Sequence, residues 1–236
     1  MTVLQILQQM AQGMGRTVMI FCLTLLFSLP LGMLVTLGKM SRIYPFTFLR
    51  RFPNRFCQTL SRLNPVSGLL GVMISLLRGT PLMLQLMLVY FGPYFLLGIP
   101  ITLNYQFYAV IIAFSINYAA YFAEIFRAGM QAIPQGQYEA AQVLGYGKGQ
   151  TFFKIVLPQV VKHVLPPVTN EVITLIKDTS LAFVIAYAEM FTIAKQLVAK
   201  EATVVPFLVA AVFYYVFNAL VAFVMAKAEK SLSYYH

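Results

Sequence analysis

The sequence predicts an all-α, polytopic membrane protein with about five transmembrane helices, and three observations carry that expectation. Of its 236 residues 60% are hydrophobic and only 10% are charged, against roughly 25% charged in an ordinary soluble domain, so the chain cannot cover itself with a water-compatible surface. Residues 17–38 and 204–226 contain no charged side chain, and a run of roughly 20 such residues crosses a hydrocarbon core about 30 Å thick. Lysine and arginine, finally, crowd into alternate connections between the apolar runs, as they do when positive charge sets orientation.

In chain order the predicted spans are residues 17–38, 80–97, 107–126, 172–194 and 204–226. The weakly polar start, residues 1–15, is not expected to be a cleaved signal, because the apolar run that follows exceeds a signal's roughly 7–15-residue hydrophobic region. After the first span comes a basic loop, about residues 40–66. There Pro45, Pro53, Pro65 and five arginines (Arg42, Arg50, Arg51, Arg55 and Arg62) alternate with Phe46, Phe48, Phe52 and Phe56, a composition suited to the headgroup level of a lipid surface. It reads as a topology-setting loop, with a regulatory or lipid-binding role as the alternative. Residues 66–77 are apolar but run into Arg78-Gly79-Thr80-Pro81, where glycine and proline break a helix, so a re-entrant or tilted half-helix is expected before the second span.

Counting basic residues in the connections orients the chain. One side holds Lys39, the five loop arginines, Arg127, Lys148, Lys154, Lys162, Lys227 and Lys230, twelve in all, and the other only Arg16, Lys195 and Lys200. The positive-inside rule puts the first set in the cytoplasm, with the N-terminus outside and the C-terminus cytoplasmic. The net charge of +10 thus belongs to membrane-facing loops and not to a nucleic-acid surface. Cys22 and Cys57 show neither metal-ligand spacing nor a disulfide framework, and no metal site is expected.

The connection at about residues 128–165 is long for a link between helices, which marks it as functional. Pro134-Gln135-Gly136 stops the preceding helix, residues 137–144 favour a short helix, and Gly145, Gly147 and Gly149 make a turn before helix resumes at 151–156. Such a short helix with small residues, held off the membrane, is shaped to dock in a groove of another protein.

Its residues match a known pattern: Glu139-Ala140-Ala141, three residues, Gly145, nine residues, then Ile155-Val156-Leu157-Pro158. This resembles the EAA loop of bacterial ABC importer permeases. The flanking block from Ala120 to Gly129 and the run Ala132-Ile133-Pro134-Gln135-Gly136-Gln137 look like the polar amino acid branch, the histidine and glutamine permease family, as do Arg78-Gly79-Thr80-Pro81 and Lys177-Asp178-Thr179-Ser180-Leu181. The resemblance runs from about Arg78 to the C-terminus, while residues 42–66 form a longer linker than that family leads one to expect. What it implies is a type I ABC importer permease fold in a single transmembrane domain, multi-pass in a bacterial inner membrane. The chain would pair with a second permease subunit, its own copy or a relative. It would bind two ATP-binding cassette ATPase subunits through Gln137, Glu139, Ala140, Ala141, Gly145, Leu157 and Pro158, and receive substrate from an extracytoplasmic amino acid-binding protein. No cofactor is expected on this chain, with ATP and Mg held by the partner ATPases.

Ionisable residues inside spans cost at least roughly 2.5 kcal/mol each at the helix centre and are functional candidates for that reason. Asn117, Tyr121 and Glu124 recur at i, i+4 and i+7 on one face of the third span; Asn170, Thr174 and Asp178 share a stripe on the fourth, with Lys177 about 100° away and Ser180 following. An amino acid carries an ammonium and a carboxylate, each needing a partner where water is scarce. Glu124 or Asp178 is placed for the ammonium and Arg78 either for the carboxylate or for the cytoplasmic surface as a headgroup anchor. Two alternatives stay open: these charges pair with one another across helices, or they form a gate. Glu189 reads as an interfacial carboxylate beside Lys195, and His163 as a surface histidine. The sequence has no phosphate-binding G-x-x-x-x-G-K-[ST] loop, no H-E-x-x-H and no G-x-S-x-G, so the chain is not expected to be an enzyme. An ion-coupled secondary transporter, the main rival, would lack the docking loop and tend to repeat itself, and no second copy of the EAA block is present. A membrane-embedded enzyme would have only Glu124 with Asp178 to work with.

Overall fold

The computed structural model describes residues 3–41 and 64–231, and the elements it forms there are all helical. The body of the basic loop, residues 42–63, lies outside the described residues. The residues that flank it are joined, because the Asn64 side-chain amide donates to the carbonyl of Ser41.

Helix α1 (Val3–Met40) is 38 residues long, about 57 Å at 1.5 Å per residue. It starts well before the expected span because residues 3–16 are amphipathic. Ile6 and Met10, one turn apart, are buried against Met190, Ala194 and Leu197, while Gln5, Gln8, Gln9 and Gln12 stay on the opposite side around a groove. Further along, α1 packs on α4 (Leu103–Gln131), the most enclosed of the spanning helices. The contact is close because the facing residues are small. A Cβ on Gly32 would stand 2.9 Å from Phe122 Cβ and 3.1 Å from the Ala119 carbonyl oxygen, and Thr36 Oγ1 lies 2.8 Å from the carbonyl of Gly32 and 2.9 Å from that of Ala123. Glycine and alanine at a helix crossing let two backbones approach, which is how helices gain packing energy in lipid.

The half-helix foreseen before the second span is α2 (Pro65–Gly79). Proline sits at its first position, where no N–H is needed, and the Asn64 side chain accepts from Ser67 N at 3.0 Å. It meets α3 (Leu82–Leu97) at an angle of 107°. After α4 come the short α5 (Gln135–Val143) and α6 (Lys148–Thr151), a π-helical turn (Phe152–Val156), α7 (Leu157–Asp178) and a 3₁₀ segment (Thr179–Ile185). Helix α8 (Met190–Glu201) and α9 (Val205–Ser231) complete the bundle. By length and apolar composition α1, α4 and α9 are each able to cross a membrane, and each bent pair, α2 with α3 and α7 with α8, adds one more where the pair counts as a single span. The total of five agrees with the sequence reading.

The fourth span departs from its expected form as one run over 172–194. It breaks after Ile185, where Ala186 is left-handed (φ 56°) and Glu189 extended, and α8 sets off at 55°. Glu189 is correspondingly buried and not interfacial. Its carboxylate accepts from Phe191 N (2.7 Å), Thr192 N (2.6 Å), Thr192 Oγ1 (2.9 Å) and the Tyr214 hydroxyl (3.2 Å). A helix that starts inside a bundle leaves its first N–H groups without partners, and a carboxylate at the N-cap answers them and matches the helix dipole. Lys195, expected beside Glu189, lies over the Phe183 ring at 4.9 Å instead.

Two stability predictions follow from this packing. Gly32→Ile forces α1 off α4 and costs about 1–3 kcal/mol or more, lowering the thermal unfolding temperature in detergent, whereas Gly15→Ala, with open space around it, leaves that temperature unchanged or higher. Glu189→Ala orphans the α8 amides at a cost of about 1–3 kcal/mol, and Glu189→Gln, which keeps an accepting oxygen, loses less in the same melting experiment.

Candidate functional site

The break between α2 and α3 opens on a cavity of about 540 Å³, walled by three elements. The break supplies Arg78, Gly79, Thr80 and Pro81; α4 supplies Asn117, Tyr118 and Tyr121; α7 supplies Glu171, Thr174 and Asp178. Leu82 and Leu181 add apolar wall. Of the residues singled out from sequence, Arg78, Asn117, Tyr121, Thr174 and Asp178 therefore meet around one space.

Each is placed by local structure. Arg78 closes the last turn of α2, and its guanidinium carbon lies 5.2 Å from the Tyr121 ring centroid, within cation–π range. Asn117 stands one turn before Tyr121 and donates to Gln85 Oε1 (3.0 Å) and to the Leu77 carbonyl (3.3 Å). On α7, Asp178 Oδ2 accepts from the Tyr118 hydroxyl at 2.7 Å, and the Thr174 hydroxyl donates back to the Asn170 carbonyl at 2.9 Å.

Glu124 lies outside this lining. It borders a second cavity of about 450 Å³, which shares Arg78, Tyr121 and Glu171 with the first and adds Arg127 and His163. Its carboxylate is already engaged, by the Lys39 ammonium of α1 and by Arg127 one turn along (Nε 2.9 Å, Nη2 2.6 Å). For Glu124 the geometry is thus that of the cross-helix ion pair. Lys177 is exposed, Ser180 Oγ donates to the Lys177 carbonyl at 2.7 Å, and neither residue lines the cavity.

Sequence reasoning passed over Tyr118 and Glu171. A signal for Glu171 exists: it precedes Thr174 by three residues and Asp178 by seven, a spacing that shares a helical face. Asn170, chosen for that stripe, is exposed and does not line the cavity. Among the described residues no three His, Cys, Asp or Glu side chains gather to hold a metal ion.

The long loop forms a second feature. Helix α5 ends in two reverse bonds, Tyr146 N to the Ala141 carbonyl and Gly145 N to that of Gln142, both 3.0 Å, with Gly145 at φ 76°. That is the glycine-dependent C-terminal motif in which a left-handed residue lets the chain turn back. Ala141 is buried, while Glu139 and Ala140 are exposed together with Tyr138, Val143 (88%) and Leu144 (73%). The loop is joined to α7, which Leu157 and Pro158 open, by a bond of 3.3 Å from Gln159 to Gln137.

Five spans, a charged cavity between broken helices and a projecting helix with bare apolar side chains define a membrane permease. The chain belongs to the family described as binding-protein-dependent transport system inner membrane components, which matches residues 56–234 and so begins ahead of the Arg78 boundary read from motifs. It is 35% identical over 222 residues to the arginine transport system permease protein ArtQ of Bacillus subtilis, covering 94% of this chain and 91% of that one. It is 32% identical over 225 residues to the L-cystine transport system permease protein TcyB of the same organism, covering 94% and 86%. Among solved structures, the crystal structure of an amino acid ABC transporter with histidines superposes with a TM-score of 0.80 at 28% identity, covering 98% of this chain and all of that one. The chain is therefore a multi-pass permease subunit of an ABC importer with the type I fold, a transport component whose family works with ATPase and permease partners. Nothing in the fold or the relatives supports an ion-coupled secondary transporter.

Proposed function

We propose that this chain forms the translocation pathway of an importer for a polar amino acid in the inner membrane of a bacterial cell. The observation that carries the reading is a cavity between membrane-spanning helices that holds a guanidinium, Arg78, and two carboxylates, Glu171 and Asp178. A zwitterion leaves water only where both of its charges find partners, and this volume falls in the range of roughly 300–1,000 Å³ typical of small-molecule sites. Arg78 takes the substrate carboxylate and the acidic pair its ammonium, with Asn117, Tyr121 and Thr174 as neutral wall. Glu124, held by Lys39 and Arg127, works as a closing ion pair below. Lys177 and Ser180 join the pathway only in another state of the transport cycle, in which the closing ATPases rock the spans between inward-open and outward-open forms. The named substrates of the relatives, arginine and L-cystine, are consistent with this class.

The chain is read as one transmembrane domain over residues 1–236, with its N-terminus outside and its C-terminus in the cytoplasm. The coupling loop, about residues 128–165, docks the ATPases through Gln137, Glu139, Ala140, Ala141 and Gly145 and passes their motion on at Leu157 and Pro158. Two ATPase subunits, which bind ATP and Mg, a second permease subunit and an extracytoplasmic amino acid-binding protein complete the proposed importer. Residues 40–66 keep their reading as a basic loop on the cytoplasmic lipid surface.

Reconstitution in liposomes with the cognate ATPase and binding protein tests this. ATP-driven amino acid uptake is expected from the intact chain. Glu139→Lys, at an exposed docking position, releases the ATPase on purification without unfolding the permease. Arg78→Ala keeps the ATPase and raises the half-saturating substrate concentration roughly 10- to 150-fold, the value of a lost charge-assisted bond. Uptake that continues under an ion gradient with no ATPase bound would overturn the reading.

A further inference from the structure

Gln85 belongs to none of the motifs described above, yet its side chain meets more of the α2–α3 break than any residue within the break does. Helix α2 ends at Gly79, and the last carbonyls of a helix have no partners within it. The chain then passes through Pro81, which has no N–H to offer. Gln85, one turn into α3, fills the gap. Its Nε2 donates to the Leu77 carbonyl (2.8 Å), the Thr80 carbonyl (3.1 Å) and Thr80 Oγ1 (2.9 Å). The Thr80 hydroxyl proton is spent on the Leu76 carbonyl at 2.8 Å, so its oxygen is free to accept. Gln85 Oε1 in turn accepts from Asn117 Nδ2 at 3.0 Å, and Asn117 reaches the same Leu77 carbonyl at 3.3 Å.

The orientation of the amide follows from this surround. Turned over, Gln85 would point its oxygen at two carbonyls and its NH₂ at another NH₂. One carboxamide thus binds the end of α2 to α3 and to α4 at once. The carbonyl it grips belongs to Leu77, the residue directly before Arg78, and the third party, Asn117, stands one turn from Tyr121, on which the Arg78 guanidinium rests. The direction of Arg78 into the cavity is therefore set by a side chain that does not line the cavity itself.

We propose that Gln85 is a positioning residue for substrate binding: by fixing the α2–α3 break against Asn117 it aims Arg78 at the substrate carboxylate. The proposal rests on the reading of this cavity as the amino acid site. Its test is uptake of radiolabelled L-arginine, L-cystine and L-glutamine by the assembled importer in liposomes, comparing the intact chain with Gln85→Met, Gln85→Asn, Arg78→Lys and the double variant Gln85→Met/Arg78→Lys. Copurification of the ATPase serves as the check on folding.

Gln85→Met keeps size and helix preference and removes the amide. It raises the half-saturating concentration about tenfold, the value of a hydrogen bond lost at the break, and leaves the maximal rate within about twofold. Gln85→Asn, which holds an amide on a shorter arm, recovers part of that affinity, and it also serves as the measured variant should Gln85→Met fail to assemble. In the Arg78→Lys background Gln85→Met adds little, because residues acting through one another are not additive. Additive losses, or a fall in maximal rate with unchanged half-saturation, overturn the proposal, since Gln85 would then act on the bundle and not through Arg78. If none of the three amino acids is taken up by the intact importer, the substrate reading itself falls, and this proposal with it.

Discussion

The constraint on which the rest of this structure depends is that a helix cannot stop inside a membrane bundle without something answering its backbone. In hydrocarbon each unpaired amide or carbonyl costs several kcal/mol, so an uninterrupted helix is the default, and a break is tolerated only where side chains stand in for the missing turn. Among the described residues this chain breaks a helix in this way twice, in the α2–α3 pair and in the α7–α8 pair. At the α2–α3 break the Gln85 amide meets the carbonyls of Leu77 and Thr80; at the start of α8 the Glu189 carboxylate meets the amides of Phe191 and Thr192. The solutions are complementary, donors supplied to a helix C-terminus and an acceptor to an N-terminus, as the polarity of the two ends requires.

The first break opens on a cavity lined by charge of both signs, while at the second Arg16 is bonded to the Ala188 carbonyl. Arg78, Glu171 and Asp178 surround that cavity, whereas Glu189 is closed in by Thr17, Thr192 and Tyr214. The contrast explains why an intramembrane ionisable residue is a poor guide to function when taken singly. Glu124, Asp178 and Glu189 are all carboxylates at membrane depth, but Glu124 is paired with Lys39 and Arg127, Glu189 caps backbone amides, and Asp178 lines a cavity with a tyrosine hydroxyl and, among the described residues, no cation as its close partner.

That difference marks where legibility in the sequence ends. The spans followed from composition, the α2–α3 bend from Gly79 and Pro81, and the projecting α5 from its proline and glycines, because each depends on the local chemistry of a few adjacent residues. The break after Ile185 carries no such sign. Ala186 takes a left-handed conformation that alanine does not favour, and the break is held by residues distant in sequence, Gln106 on the Ile185 carbonyl (3.1 Å), Arg16 on the Ala188 carbonyl (2.8 Å) and Tyr214 on Glu189 (3.2 Å). The early start of α1 was hidden for a similar reason, since four glutamines and Arg16 interrupt the apolar residues of 3–16, and Ile6 and Met10 acquire their partners from α8. At the site, helical spacing brought Asn117, Tyr121, Thr174 and Asp178 to the right faces, but the choice of Glu171 over Asn170 turns on how α7 is rotated against α4, which no stretch of either helix encodes alone.

Helix α7 joins the two halves of the proposed mechanism. It begins with Leu157 and Pro158, directly after the π-helical turn that leaves the coupling loop, and ends at Asp178 in the cavity. Its 22 residues make a rod of about 33 Å, buried along Val160, Val164, Val168 and Val172. Pro166 and Pro167 interrupt its backbone bonding midway, so any motion as a unit rests on this packed side, since interiors near crystal density transmit displacement. Bound to α5 through Gln159 and Gln137, α7 carries any shift of the loop to Glu171 and Asp178. Asp178 is tied to α4 by the Tyr118 hydroxyl, and Arg78 sits on the α2–α3 break, which Gln85 clamps to the same helix through Asn117. In the proposed mechanism a shift of α7 against α4 opens the Tyr118–Asp178 bond and parts the acidic from the basic wall, and a zwitterion that needs both is then released.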